Sequence, residues 1–188
     1  MSHFQPKVTV YRGKKFRSRI EARWACFFDT LGVEWIYEFQ HYDFGVKAVW
    51  DDDEFREYLN EALYENYWDN REDIIREAYR HRYARQMYLP DFWLPTFNHW
   101  VEIKGKAPTH EEQTKASQLA RKSGKPVTIL WGHIFPDPYH PDAIWGDCTE
   151  VFGESWNIIA VLALTYRITN MDHAFAAARS VRFEKERA

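Results

Sequence analysis

Two short runs, Tyr88-Leu89-Pro90-Asp91-Phe92-Trp93-Leu94 and His99-Trp100-Val101-Glu102-Ile103-Lys104-Gly105, constrain this chain more than any other stretch. Aromatic and branched residues dominate both, Pro95 closes the first, and Thr96-Phe97-Asn98 is short enough for a hairpin turn, so the pattern predicts two paired strands. Side chains alternate across a strand, which sets Val101 and Ile103 on one face and Glu102 and Lys104 on the other, about 6–7 Å apart. Antiparallel pairing would bring Asp91 beside Glu102 on that polar face. Two carboxylates about 4 Å apart repel by about 1 kcal/mol in water, and by about 4 kcal/mol at an effective dielectric near 20. A hard divalent cation turns that repulsion into binding, because Mg²⁺ sites use one or two carboxylates completed by water and phosphate. The plainer alternative is a surface hairpin with an ordinary salt bridge.

The remaining periodicity surrounds this pair with helices and two further strands. Arg17 to Leu31 is amphipathic, with Ile20, Trp24, Phe27, Phe28 and Leu31 on one arc, Ser18 as N-cap and Gly32 as the stop. Glu21 falls at the edge of that arc, where it either closes a capping box with Ser18 or faces the sheet. Glu34 to Phe39 reads as the first strand, with Glu38 on the active face or on an exposed edge. From Asp51 to Met87 the pattern is helical with a break at Asp69-Asn70, which predicts an inserted helical hairpin. Its first helix is strongly acidic, a face that avoids DNA. The second ends on Arg80, His81, Arg82 and Arg85, which suit a phosphate backbone or a solvated face equally.

Thr109 caps a helix from His110 to about Ser123, with Glu112 in its first turn and Gly124 as the stop. Pro126 to Trp131 has the continuous apolar character of a buried strand. Residues 133–154 read as a loop, and His133, His140, Asp142 and Cys148 within it match no standard zinc spacing. Trp156 to Ile168 suits a buried strand or a helix alike. Asp172 to Lys185 predicts a helix capped by Asn170 or Asp172, with Arg179, Arg182 and Lys185 as a basic stripe. The order of these elements predicts an α/β chain with a mixed sheet and a C-terminal helix.

Pro90-Asp91, ten intervening residues and Glu102-Ile103-Lys104 resemble the signature of the PD-(D/E)XK nuclease superfamily. Over about residues 10–132 the order of elements also resembles that superfamily's α-β-β-β-α-β, restriction-endonuclease-like core. The resemblance implies one nuclease domain over residues 1–188, with a core at about 10–50 and 88–132, a helical hairpin insert at 51–87 and an extension at 133–188. It implies Mg²⁺- or Mn²⁺-dependent hydrolysis of phosphodiester bonds in DNA, by endonucleolytic cleavage. Asp91, Glu102 and the Ile103 backbone carbonyl would hold the metal, Glu21 would add a further acidic group, and Lys104 would orient water and offset charge at the phosphate. In that setting the N-terminal run, which is basic and has no acidic residue before Glu21, reads as phosphate-contacting through Lys14, Lys15 and Arg17. Lys106, Gln113 and Lys115 would join them beside the site.

Composition bounds the setting. Cys26 lies in an apolar helix and Cys148 is distant from it, so a buried thiol in a reducing compartment is expected rather than a disulfide. No apolar leader opens the chain, and the run Ile158 to Leu164 is too short to span a bilayer, so a cytoplasmic protein without membrane contact is expected. A homodimer is compatible with the chain, although no heptad pattern marks one. The alternative function is a nuclease-fold protein without catalysis, which binds DNA or assembles through the acidic hairpin.

Overall fold

The computed structural model of the chain describes residues 7–46, 52–65, 71–82, 85–134, 149–153 and 157–183. A two-stranded ribbon comes first, with β1 (Thr9–Tyr11) antiparallel to β2 (Lys14–Phe16). Both turn residues between them, Arg12 and Gly13, take positive φ (48° and 74°), which gives a two-residue turn the twist a hairpin needs. The helix α1 (Arg19–Leu31) starts where the Ser18 hydroxyl accepts the Glu21 N–H, and it stops at Gly32 in the left-handed region. Next come β3 (Ile36–Tyr37), β4 (Tyr42–Val46), α2 (Asp52–Glu65), α3 (Arg71–Arg82) and β5 (Arg85–Tyr88). Of the run Tyr88 to Leu94 expected as the first strand of a hairpin, Tyr88 belongs to β5 and Phe92–Leu94 forms β6, which is joined to β7 (His99–Lys104) by a 3₁₀ turn over Pro95–Phe97 and Asn98 at φ 53°. Then come α4 (His110–Ser123), β8 (Val127–Trp131), β9 (Thr149–Phe152), α5 (Ile158–Thr165) and α6 (Ile168–Ser180). Among the described residues the protein is mixed α and β, with six α-helices and a mixed five-stranded sheet. None of the described helices is long and apolar enough to cross a membrane.

Two units divide the chain, one of residues 1–40 with 90–188 and the other of residues 41–89. The first holds the five-stranded sheet, in the order β3-β6-β7-β8-β9, antiparallel except for the β7–β8 pair. A parallel pair needs a crossover, and α4 supplies it. Phe92, Leu94, Val101 and Ile103 form one core with Phe27 and Phe28 of α1 and Met171, Ala174 and Phe175 of α6. Phe28 meets Phe92 edge-on at 5.5 Å between ring centres, and Phe27 packs on Phe175 at 4.5 Å. Each such ring contributes roughly 1.5–3 kcal/mol by burial, so α1 fixes this face of the sheet. Val127, Thr128, Ile129 and Leu130 are all buried, and a strand buried on both faces reads as the unbroken apolar run seen in the sequence. On the core face, His99 Nε2 lies 2.8 Å from Thr128 Oγ1, and that oxygen also accepts the Ile158 N–H at 3.4 Å. Burial pushes the His99 pKa down to about 4.

In the second unit β4 pairs antiparallel with β5, and α2 packs against α3. Phe55 and Ala78 are buried there, and Phe55 meets Tyr79 at 5.0 Å between ring centres. Within the stretch 51–87 expected to be a helical hairpin, α2 and α3 are helices, whereas Arg85 to Met87 belong to β5, one of a strand pair that the sequence reading did not contain. The expected break at Asp69-Asn70 lies outside the described residues.

Other departures have local causes. Residues 149–152 of the expected loop form β9, which pairs antiparallel with β8. Trp156 to Ile168, left open between strand and helix, contains α5. The last helix begins at Ile168, not at Asp172, so neither Asn170 nor Asp172 caps it. Starting earlier buries Met171 in line with Ala174, Phe175 and Ala178, at the spacing of one helical face. It ends at Ser180, so Arg182 lies beyond the helix and the basic stripe drawn through Arg179, Arg182 and Lys185 is not a helix face. Lys185, His140, Asp142 and Cys148 lie outside the described residues, and Cys26 is a buried free thiol.

Candidate active site

The β6–β7 register places Phe92 opposite Val101, so one further step sets Asp91 across from Glu102. The Asp91 N–H donates to Glu102 Oε2 at 3.3 Å, and Asp91 Oδ2 accepts the Ile103 N–H at 2.7 Å. Both carboxylates are buried, with Asp91 2% and Glu102 4% exposed. Trp100 N–H and Lys104 C=O reach toward β8, to Pro126 O and Gly132 N, whereas Ile103 presents its N–H on the opposite edge. A strand residue's amide and carbonyl leave by the same edge, so the Ile103 carbonyl also lies on the Asp91 side.

Two cations hold the pair. Lys104 Nζ stands 3.0 Å from Glu102 Oε1 and 3.0 Å from Glu112 Oε1. Glu112 also completes the α4 capping box, its Oε2 accepting the Thr109 N–H at 2.8 Å, so a helix start and Lys104 share one carboxylate. Burial works against the Lys104 charge, but Glu102 and Glu112 outweigh it and raise the pKa, which keeps an ammonium here. On the other side Arg17 Nη2 meets Asp91 Oδ1 at 2.5 Å, and Arg17 Nε meets Glu38 Oε1 at 2.9 Å. Glu38 adopts a left-handed φ of 50°, and its N–H donates to the Asp91 carbonyl at 2.9 Å. Non-glycine residues avoid that region, so the turn before the insert is held in a costly shape beside the site.

Glu21 is buried against the same cluster, but its oxygens serve the helix start. Oε1 accepts the Ser18 hydroxyl at 2.5 Å, and Oε2 accepts the Arg17 N–H at 3.1 Å and the Tyr37 hydroxyl at 2.5 Å. Burial and then Glu21 raise the Tyr37 pKa. Burial, then Glu102 and Glu21, also hold the Asp91 carboxyl well above the usual range, outweighing Arg17 and the Ile103 N–H. Four carboxylates (Glu38, Asp91, Glu102 and Glu112) share the Arg17 and Lys104 cations through these contacts, and Glu21 meets Arg17 only at its main-chain N–H, so the cluster is short of positive charge.

Of the residues singled out from the sequence, Asp91, Glu102, Ile103 and Lys104 come together, with Glu21 adjacent and Arg17 on Asp91. Lys14 and Lys15 are exposed on β2, and the Lys14 ammonium lies 4.8 Å from the centre of the Trp35 ring. Lys106 is exposed after β7, Gln113 is half-buried in α4, and Lys115 pairs with Glu111 at 2.7 Å. On the face that carries Glu102, Trp100 crosses to Trp93 at 4.5 Å between ring centres, and the half-exposed Phe39 stacks beside both. The sequence reading missed the parts played by Glu112 and Tyr37. A capping-box spacing flags the first, and nothing local flags the second.

Among the described residues no group of three or more His, Cys, Asp or Glu side chains is arranged to hold a metal ion. The groups that could meet a cation here are two carboxylates and, on the same side, a backbone carbonyl, all oxygen. That set suits Mg²⁺ or Mn²⁺, which bind few protein oxygens and keep several waters. The deficit of positive charge around Asp91 fits the same requirement. No protein-family model, curated protein or solved structure matches the chain.

Proposed function

We propose that the protein is a metal-dependent nuclease of the PD-(D/E)XK type that cleaves DNA endonucleolytically. The observation that carries this reading is the pairing of two buried carboxylates, Asp91 and Glu102, with the Lys104 ammonium 3.0 Å from Glu102. The succession α1, β3, β6, β7, α4, β8 around a parallel β7–β8 pair supports a restriction-endonuclease-like core. Asp91, Glu102 and the Ile103 carbonyl would hold Mg²⁺ or Mn²⁺, with Glu21 behind them. When bound, such an ion acidifies water and draws charge from the phosphate. Lys104 would place a fixed positive charge where the transition state gains negative charge, in a site shielded from bulk water. Its raised pKa suits that electrostatic role and not that of a base. Lys14, Lys15, Arg17, Lys106, Gln113 and Lys115 are the proposed contacts to the DNA backbone.

Purified protein offered plasmid, linear duplex, single-stranded and branched DNA with Mg²⁺ or Mn²⁺ tests the proposal. Cleavage is expected with the cation, to be lost with EDTA and in Asp91→Ala and Lys104→Ala. Cleavage that survives both substitutions would falsify the assignment. Metal-independent DNA binding without cleavage would favour the non-catalytic alternative.

A further inference from the structure

We infer that Arg17 is a built-in counter-cation, seated on Asp91 where a divalent ion would otherwise bind, and that it must let go of Asp91 for the ion to enter. The inference rests on the metal-dependent reading above. Asp91 has a side chain only 3% exposed, and Arg17, at 54%, covers its Oδ1 from the solvent side. The other oxygen, Oδ2, accepts the Ile103 N–H, so Arg17 stands on the oxygen with no main-chain donor. A guanidinium and a divalent cation compete for one carboxylate oxygen, because like charges about 4 Å apart repel by about 4 kcal/mol at an effective dielectric near 20.

The second carboxylate explains how Arg17 can leave without being lost. Its Nε is held by Glu38, whose side chain is 30% exposed, so the guanidinium can release Asp91 and stay tethered. Glu38 is fixed for that task by its own N–H to the Asp91 carbonyl. Lys104 differs in kind: α4 holds it from the far side through Glu112, and it pairs with Glu102 and not with Asp91. The Arg17 main chain is anchored separately, its N–H donating to Glu21 and Tyr37, so a change of side chain leaves the start of α1 intact.

The test measures Mn²⁺ affinity of the full chain by calorimetry or by electron paramagnetic resonance, and melting temperature with and without Mn²⁺, for the native protein, Arg17→Gln and Arg17→Lys. Arg17→Gln should bind Mn²⁺ about tenfold or more tightly, melt lower than the native protein without the ion, and regain most of the difference at saturating Mn²⁺. Arg17→Lys keeps the charge but cannot hold both carboxylates in one fork, so it should fall between them. Native protein that binds Mn²⁺ while neither variant binds it more tightly overturns this inference and leaves the metal-dependent reading standing. Absence of Mn²⁺ binding in all three overturns both, whereas binding gained only in the variants supports the inference most directly.

Discussion

Lys104 and His99 stand on one strand with opposite charge fates. Glu102 and Glu112 keep Lys104 an ammonium, whereas burial pushes the His99 pKa down to about 4. Lys104→Ala should lower the metal-dependent cleavage rate by roughly 10²–10³, the cost of removing one preorganised electrostatic group, while Mn²⁺ affinity does not fall, since a like charge leaves Glu102. Single-turnover cleavage alongside a binding titration checks both parts. For His99 the unfolded chain takes up a proton near pH 6.5, but the folded protein does so only near 4. Stability is therefore complete above about pH 6.5 and is lost as the pH falls toward 4, by about 3 kcal/mol in all. Urea unfolding at pH 7 and pH 5 should show that slope, and it should flatten in His99→Asn. Asp91, Glu102 and Lys104 were legible because strand alternation and a short turn are local. Arg17 on Asp91 was not, because the two residues lie 74 positions apart and meet only through the folded sheet.

The starts and stops of α1 and α4 are the best-read parts of the chain, since a cap is a signal contained within a few residues. Ser18 and Gly32 bound α1, and Thr109 and Gly124 bound α4, as their residue types require. Thr109→Ala should cost about 1 kcal/mol by chemical denaturation. It should also slow cleavage, because the Glu112 carboxylate loses the Thr109 hydroxyl and keeps only the Thr109 N–H to aim it at Lys104. Gly32→Ala should cost about 1–2 kcal/mol although no atom lies within 4 Å of the added methyl, because the whole penalty is the left-handed backbone. The short strands escaped the sequence reading for the converse reason. β9 is four residues long and β4 is interrupted at Gly45, whose N–H bonds back to Asp43 Oδ1 at 2.8 Å. Such strands are defined by a partner distant in sequence and carry too few alternating positions to announce themselves. β1 and β2, three residues each, escaped in the same way.

The interrupted course of the chain has its own logic. Tyr37 pairs with Phe92 across β3 and β6, so the chain leaves for residues 41–89 and returns at neighbouring points on one sheet. Among the described residues, the first unit's core is built from its own segments, Phe16 to Val33 and Phe92 to Ala178. Replacing residues 41–89 by a short glycine-rich linker should therefore leave a protein that melts cooperatively, with the circular dichroism of a mixed α and β fold. A molten or aggregated product would mean that the insert stabilises the sheet. Trp93 and Trp100, the crossed pair on the carboxylate face, have a practical outcome of another kind. Indoles pass absorbed ultraviolet light to a lanthanide only at close quarters, and Trp100 is two residues from Glu102 on the same side of its strand. The protein has thus grown an antenna beside its acidic pair, and a terbium ion lodged there should glow green under lamp light and go dark in Asp91→Ala.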